Sequence, residues 1–109
     1  MNTIQIPASY YGYNHSLPFD WPQVLRLEGQ RNYTIFVLTN GARYLSTKNL
    51  GAYEAHLPSD FLRIHKRCII HRASIAEIYP RSRTIRLHDG TELGIARRRW
   101  GEIRSAYKS

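Results

Sequence analysis

The chain has 109 residues, 42% hydrophobic and 12% aromatic, which fits one ordered domain with a modest core and excludes a disordered tail or a pair of domains. Its formal charge of +8 is unevenly placed: residues 1–60 carry four bases and four acids, whereas residues 61–109 carry twelve bases and four acids. Arg far outnumbers Lys, a preference that a merely solubilising surface does not need but a phosphate-facing one rewards with a planar fork of donors.

The N-terminal stretch "MNTIQIPASYYGYNHS" has no basic n-region and no continuous apolar h-region, so no secretory signal is expected. No apolar run approaches the roughly 20 residues that span a bilayer, so no membrane association is expected. Ile4 and Ile6 flank Gln5 as a short edge strand closed by Pro7, and residues 8–20 read as a Tyr-rich loop whose rings pack on the core or stack on a base. "VLRLEG" is a short strand ending at Gly29. In "YTIFVLTNGARYLST", two β-forming runs flank Asn40-Gly41, which predicts a type I′ hairpin with positive φ at both turn residues.

The one clear helix candidate is "STKNLGAYEAHLP". Ser46 or Thr47 would cap it, Leu50, Tyr53 and Leu57 would form its apolar face, Gly51 weakens it and Pro58 stops it. "FLRIHKRCIIHRASI", Phe61 to Ile75, reads as a core strand although four of its fifteen positions are Arg or Lys. "TIRLHDGTELGI" repeats the hairpin logic around Asp89-Gly90, with Ile85 and Leu87 on an apolar face and Arg86 and His88 on the other. The tail "RRWGEIRSAYKS" forms a last helical turn or frays. The expected fold is mostly β, small antiparallel sheets with one short helix crossing them. The chain divides into an N-terminal strand and loop (1–20), a core (21–100) and a tail (101–109).

Cys68 is the single cysteine, so no intrachain disulfide can form. It reads as a small core hydrophobe, and its solitude fits a reducing cytoplasm. His65, Cys68 and His71 are spaced three apart, but on one strand that spacing sends them to opposite faces, and Lys66, Arg67 and Arg72 would repel a divalent ion. No metal and no cofactor is expected. There is no Gly-rich phosphate loop, nucleophile elbow or HExxH, so no enzyme is expected either. The localised basic charge points to nucleic acid or an anionic membrane surface.

Three segments, "RLEGQRNYT", "FLRIHKRCIIHRASIAEI" and "LHDGTELGIARRRW", closely resemble the LytTR-type DNA-binding domain of bacterial transcription regulators. That family reads E-x-x-x-N-Y near its start, F-x-R-I-H-[KR]-S-x-I-V-N-x-x-x-I at its centre and D-G-x-x-[IL]-x-V-S-R-R-[YW] at its close. The match runs from about Ile4 to Trp100. The chain departs from the pattern at Arg67 (commonly Ser), His71 (usually Asn), Ala96 (Ser) and Arg99 (an aromatic, with Trp100 next).

The resemblance implies an elongated stack of small sheets that binds double-stranded DNA through loops entering successive major grooves, on direct-repeat sites and as a pair of copies. Carried over by motif, Asn32, Tyr33, Lys66 and Arg98 contact bases, while Arg63, Arg67, Arg97 and Arg99 contact phosphates. The chemistry agrees: Arg reads guanine O6 and N7, Asn reads adenine N6 and N7, and Lys donates to guanine or phosphate. Asn32 is equally an ordinary turn residue, Arg97 rivals Arg98, and His65 reads as a structural hydrogen-bonding residue. Relatives usually carry a receiver or a membrane segment, for which this chain has no room, so a stand-alone domain is expected. Competing partners are RNA or single strands stacking on Tyr33 and Trp100, or an acidic protein.

Overall fold

A computed structural model describes residues 3–5 and 19–108, which occupy an envelope of 40 × 27 × 24 Å. The expected end of the first strand at Ile6–Pro7 and the expected tyrosine loop, up to residue 18, lie outside the described residues.

Among the described residues, nine strands form two sheets. The first holds β1 (Thr3–Gln5), β2 (Val24–Gln30), β3 (Tyr33–Leu38), β4 (Arg43–Ser46), β5 (Phe61–His65) and β6 (Cys68–His71) in the order β1-β4-β3-β2-β6-β5, antiparallel except where β1 pairs β4. The second holds β7 (Ile75–Tyr79), β8 (Thr84–Leu87) and β9 (Glu92–Gly94) in an antiparallel meander. Two α-helices among the described residues, α1 (Leu50–Glu54) and α2 (Trp100–Lys108), pack on these sheets.

The larger sheet is buried on both faces, and the two-residue period of its strands sorts side chains between them. Leu25, Val37, Leu62, Ile64, Cys68 and Ile70 face the smaller sheet and α2, meeting Ile75, Ile85, Leu87, Ile95 and Ile103. Val24, Leu27, Phe36, Leu38, Phe61 and Ile69 face the other way, onto Phe19 and the Leu50 and Tyr53 side chains of α1. That second layer is aromatic; Phe36 meets Tyr53 edge-on at 5.0 Å between ring centroids. Residues 101–108 are therefore more than a tail. Ile103 is fully buried, and α2 runs for nine residues.

Three local expectations are corrected. Neither hairpin turn is type I′, because within these turns the glycine alone has positive φ, 90° at Gly41 and 91° at Gly90. In each, the glycine N–H donates to the residue three before it (Leu38 and Leu87), and the preceding Asn40 or Asp89 side chain accepts from the next backbone N–H. That is a three-residue loop closed by a left-handed glycine. The α1 cap is Asn49, whose Oδ1 accepts from Ala52 N at 2.8 Å, whereas Ser46 Oγ is turned inward to Tyr53 Oη.

The segment Phe61–Ile75 is also not one strand. Lys66 and Arg67 form a tight turn between β5 and β6, pairing His65 with Cys68. No glycine, proline or asparagine marks this turn. It is held by side chains: Arg63 donates to the carbonyls of His65 and Lys66, and His65 Nδ1 accepts from Arg67 N at 3.2 Å.

Candidate nucleic-acid interface

β2 runs antiparallel to both β3 and β6, so the β2–β3 and β5–β6 turns emerge at the same end of the larger sheet. Arg31 and Asn32 occupy the first turn and Lys66 and Arg67 the second; all four are exposed. The two turns are tied together, since Gly29 N donates to Arg67 O at 2.8 Å. Gly29 also leaves α1 close at hand: a Cβ there would lie 3.1 Å from Leu50 Cβ and 3.2 Å from Leu50 Cδ2, so Leu50 would have to give by a few tenths of an ångström. Tyr33, at the first residue of β3, is 42% exposed.

A third loop reaches the same region. Ala96 N donates to Ile64 O at 2.8 Å and sets the 3-10 turn Arg97–Arg99 beside the end of β5. Arg97 and Arg98 are exposed, and Arg99 is half-buried. The β7–β8 turn, with Arg81 and Arg83, lies at this end too, because Ile95 N donates to Arg83 O and Thr84 pairs with Gly94. Arg72 and Arg104 do not join the group; they lie at the far end of β6 and on α2.

The charges sort by end. Asp20, Asp60 and Asp89 all sit at the opposite end, before β2, before β5 and in the β8–β9 turn. Among the described residues, no carboxylate lies within ion-pair distance of Arg31, Lys66, Arg67, Arg97, Arg98 or Arg99. Two of the glutamates near this end, Glu28 and Glu54, are already engaged. Glu28 accepts from Arg26 Nε at 2.7 Å and from Arg43 Nη2 at 2.9 Å, and Glu54 accepts from Arg63 Nη1 at 2.6 Å. A set of unpaired guanidinium groups on protruding turns can bind phosphates and base edges.

Arg63 differs from the others. Its donors point to Glu54 and to the carbonyls of the 65–67 turn, and its side chain is only 16% exposed, so it holds the turn that carries Lys66. His65 does the same from the other side of the turn. Cys68 is buried beneath it, and burial pushes its thiol up to about 12. Among the described residues no three His, Cys, Asp or Glu side chains gather as metal ligands, and no helix is long and apolar enough to cross a membrane.

Sequence reasoning missed Arg31. It sits between two named positions and is one of only two described non-glycine residues at positive φ, 52°, the other being Arg83. The signal available was a two-residue gap, "RN", between β-forming runs, without the glycine that such a tight turn usually recruits.

Two β-sheets that present unpaired arginines on turns form a scaffold suited to binding nucleic acid. The chain belongs to the LytTR family: the model of the LytTr DNA-binding domain matches residues 15–108. A solved structure with the same fold is the LytTr DNA-binding domain of a Bacillus cereus protein described as a methyl-accepting/DNA response regulator. It is 22% identical, covers 83% of this chain and 85% of its own, and superposes with a TM-score of 0.74. None of the curated proteins matches the chain.

Proposed function

We propose that the chain binds double-stranded DNA in a sequence-specific manner as a cytoplasmic bacterial transcription regulator. The β2–β3, β5–β6 and Arg97–Arg99 loops enter successive major grooves. Asn32, Tyr33, Lys66 and Arg98 contact bases, and Arg67, Arg97 and Arg99 contact phosphates. Arg63, first expected as a phosphate contact, acts instead through the turn it holds. Two copies occupy a direct-repeat site. The observation that carries this reading is the gathering of unpaired cations on turns at one end of the larger sheet, with the aspartates at the other.

The test begins with selection of bound sequences from a random duplex library, followed by fluorescence polarisation across salt. Log K should fall by about 0.9 per phosphate neutralised for each decade of salt. Arg98→Ala should cost about 1–3 kcal/mol on the selected site and little on random DNA, whereas Arg67→Ala should weaken all duplexes alike. A flat salt response, or equal losses for both variants on random DNA, contradicts the assignment. Tyr33, exposed at the hairpin tip, favours a second reading in which a single strand stacks there. A single-stranded probe outcompeting the duplex of the same sequence would support it.

A further inference from the structure

We infer that Arg31 and Arg67 form one phosphate-binding notch, closing from two different hairpins on a single phosphoryl group. The inference rests on the duplex-binding reading and narrows it to a pair of side chains.

Two adjoining concavities flank the tied turns, and Arg31 and Arg67 line both. Lys66 and the Asn49 side of α1 complete one wall, and His65 and Gly94 the other. Glu28 is the single carboxylate on these walls, and its two oxygens are taken by Arg26 and Arg43. Nothing on the walls therefore neutralises Arg31 or Arg67.

The two turns that carry them are tied through backbone. The Gly29 N–H bond to the Arg67 carbonyl clamps one turn to the other, and Gly29 packs closely on Leu50 of α1. Two guanidinium groups held beside one cleft repel each other until an anion sits between them. A tetrahedral phosphoryl group has enough oxygens for both forks. The family pattern commonly has Ser where this chain has Arg67, so the second jaw is a feature of this chain. The chemistry is that of a phosphate, whether in a DNA backbone or free in solution.

The test uses the full chain with Arg31→Gly, Arg67→Ser and the double variant. Glycine accepts the φ of 52° at position 31, and Ser keeps the carbonyl that receives Gly29, so the fold is retained. Duplex affinity is measured across salt. If the arginines share one phosphate, the double variant lowers the salt slope by about 0.9 and weakens binding about eightfold at 0.1 M salt, while each single variant, which leaves one guanidinium on the phosphate, keeps most of the slope. A drop of about 1.8 in slope and about sixtyfold in affinity means two separate phosphates and overturns the notch. So does an unchanged double variant.

A wild-type chain whose duplex binding is indifferent to salt would instead defeat the duplex reading, and a second arm then decides the notch. Inorganic phosphate is titrated into the free protein while backbone amides are followed by NMR. Saturable shifts at Arg31 and Arg67 that vanish in the double variant support a small-anion site. Absence of such shifts, with no loss on DNA, overturns it.

Discussion

At position 71, where LytTR sequences usually carry Asn, the imidazole Nδ1 accepts from Ala73 N at 3.1 Å and begins the 3-10 turn Arg72–Ser74. An Asn Oδ1 could accept the same N–H, so either residue can cap this turn. Because Nδ1 accepts, the ring proton sits on Nε2, 3.0 Å from Asp60 Oδ2, and the ring meets Phe61 edge-on at 4.7 Å. His71→Ala should therefore cost about 1–3 kcal/mol in urea unfolding, the sum of a lost cap and a lost aromatic contact. His71→Asn should cost clearly less. Equal losses would mean that the cap contributes nothing. At this scale the sequence carried residue types but not their partners. Asn49 and Ser46 are both good cap residues three positions apart, and only the burial of Tyr53 decides that Ser46 turns inward. Arg63 reads like every other arginine of its stretch until Glu54, from α1, arrives beside it.

The elements show a similar division. The β-forming run of β3 and the alternation of β8 and β9 are plain in the sequence, and so is the apolar run of β6, which is buried on both faces. The β5–β6 turn was not legible, because its stability comes from side-chain donors and acceptors rather than from turn-forming residues. Gly29→Ala tests the tie between that turn and its neighbour. Leu50 would have to retreat by a few tenths of an ångström, so the variant should lose about 1–3 kcal/mol in denaturant unfolding. It should also shift the amides of α1 and of the 66–67 turn. A variant of wild-type stability would show that α1 yields freely.

The β8–β9 turn carries a pH dependence. Partial burial raises the Asp89 carboxyl, but hydrogen bonds from Thr91 and the charge of Arg26 outweigh it and hold the group below its ordinary value of 3.8. A carboxylate depressed in the fold stabilises it above the unfolded-state value, and that contribution is lost as pH falls through the folded one. The urea midpoint should thus drop on acidification below about pH 4, and Asp89→Asn should make the drop shallower. Parallel curves for the two proteins would remove Asp89 from the account.

Across the whole molecule, composition announced a basic half without saying where it would fold. Residues 61–109 contribute β5 to β9 and α2, and the cations they bring to one end come from separate turns. Arg31, from the neutral half, joins them only because β2 and β3 deliver it there. The aspartates collect at the other end for the same topological reason, since strand ends rather than sequence distance decide which turns are neighbours. The account's central claim is that this basic end is the face that meets duplex DNA. The most direct measurement is an NMR footprint, following the backbone amides as a selected duplex is added. Shifts should concentrate at Arg31–Tyr33, Lys66–Arg67 and Arg97–Arg99, leaving Asn40–Gly41, Asp60 and Asp89–Gly90 in place. Shifts centred on the aspartate turns or on the outer face of α2, with the arginine turns unmoved, would contradict it.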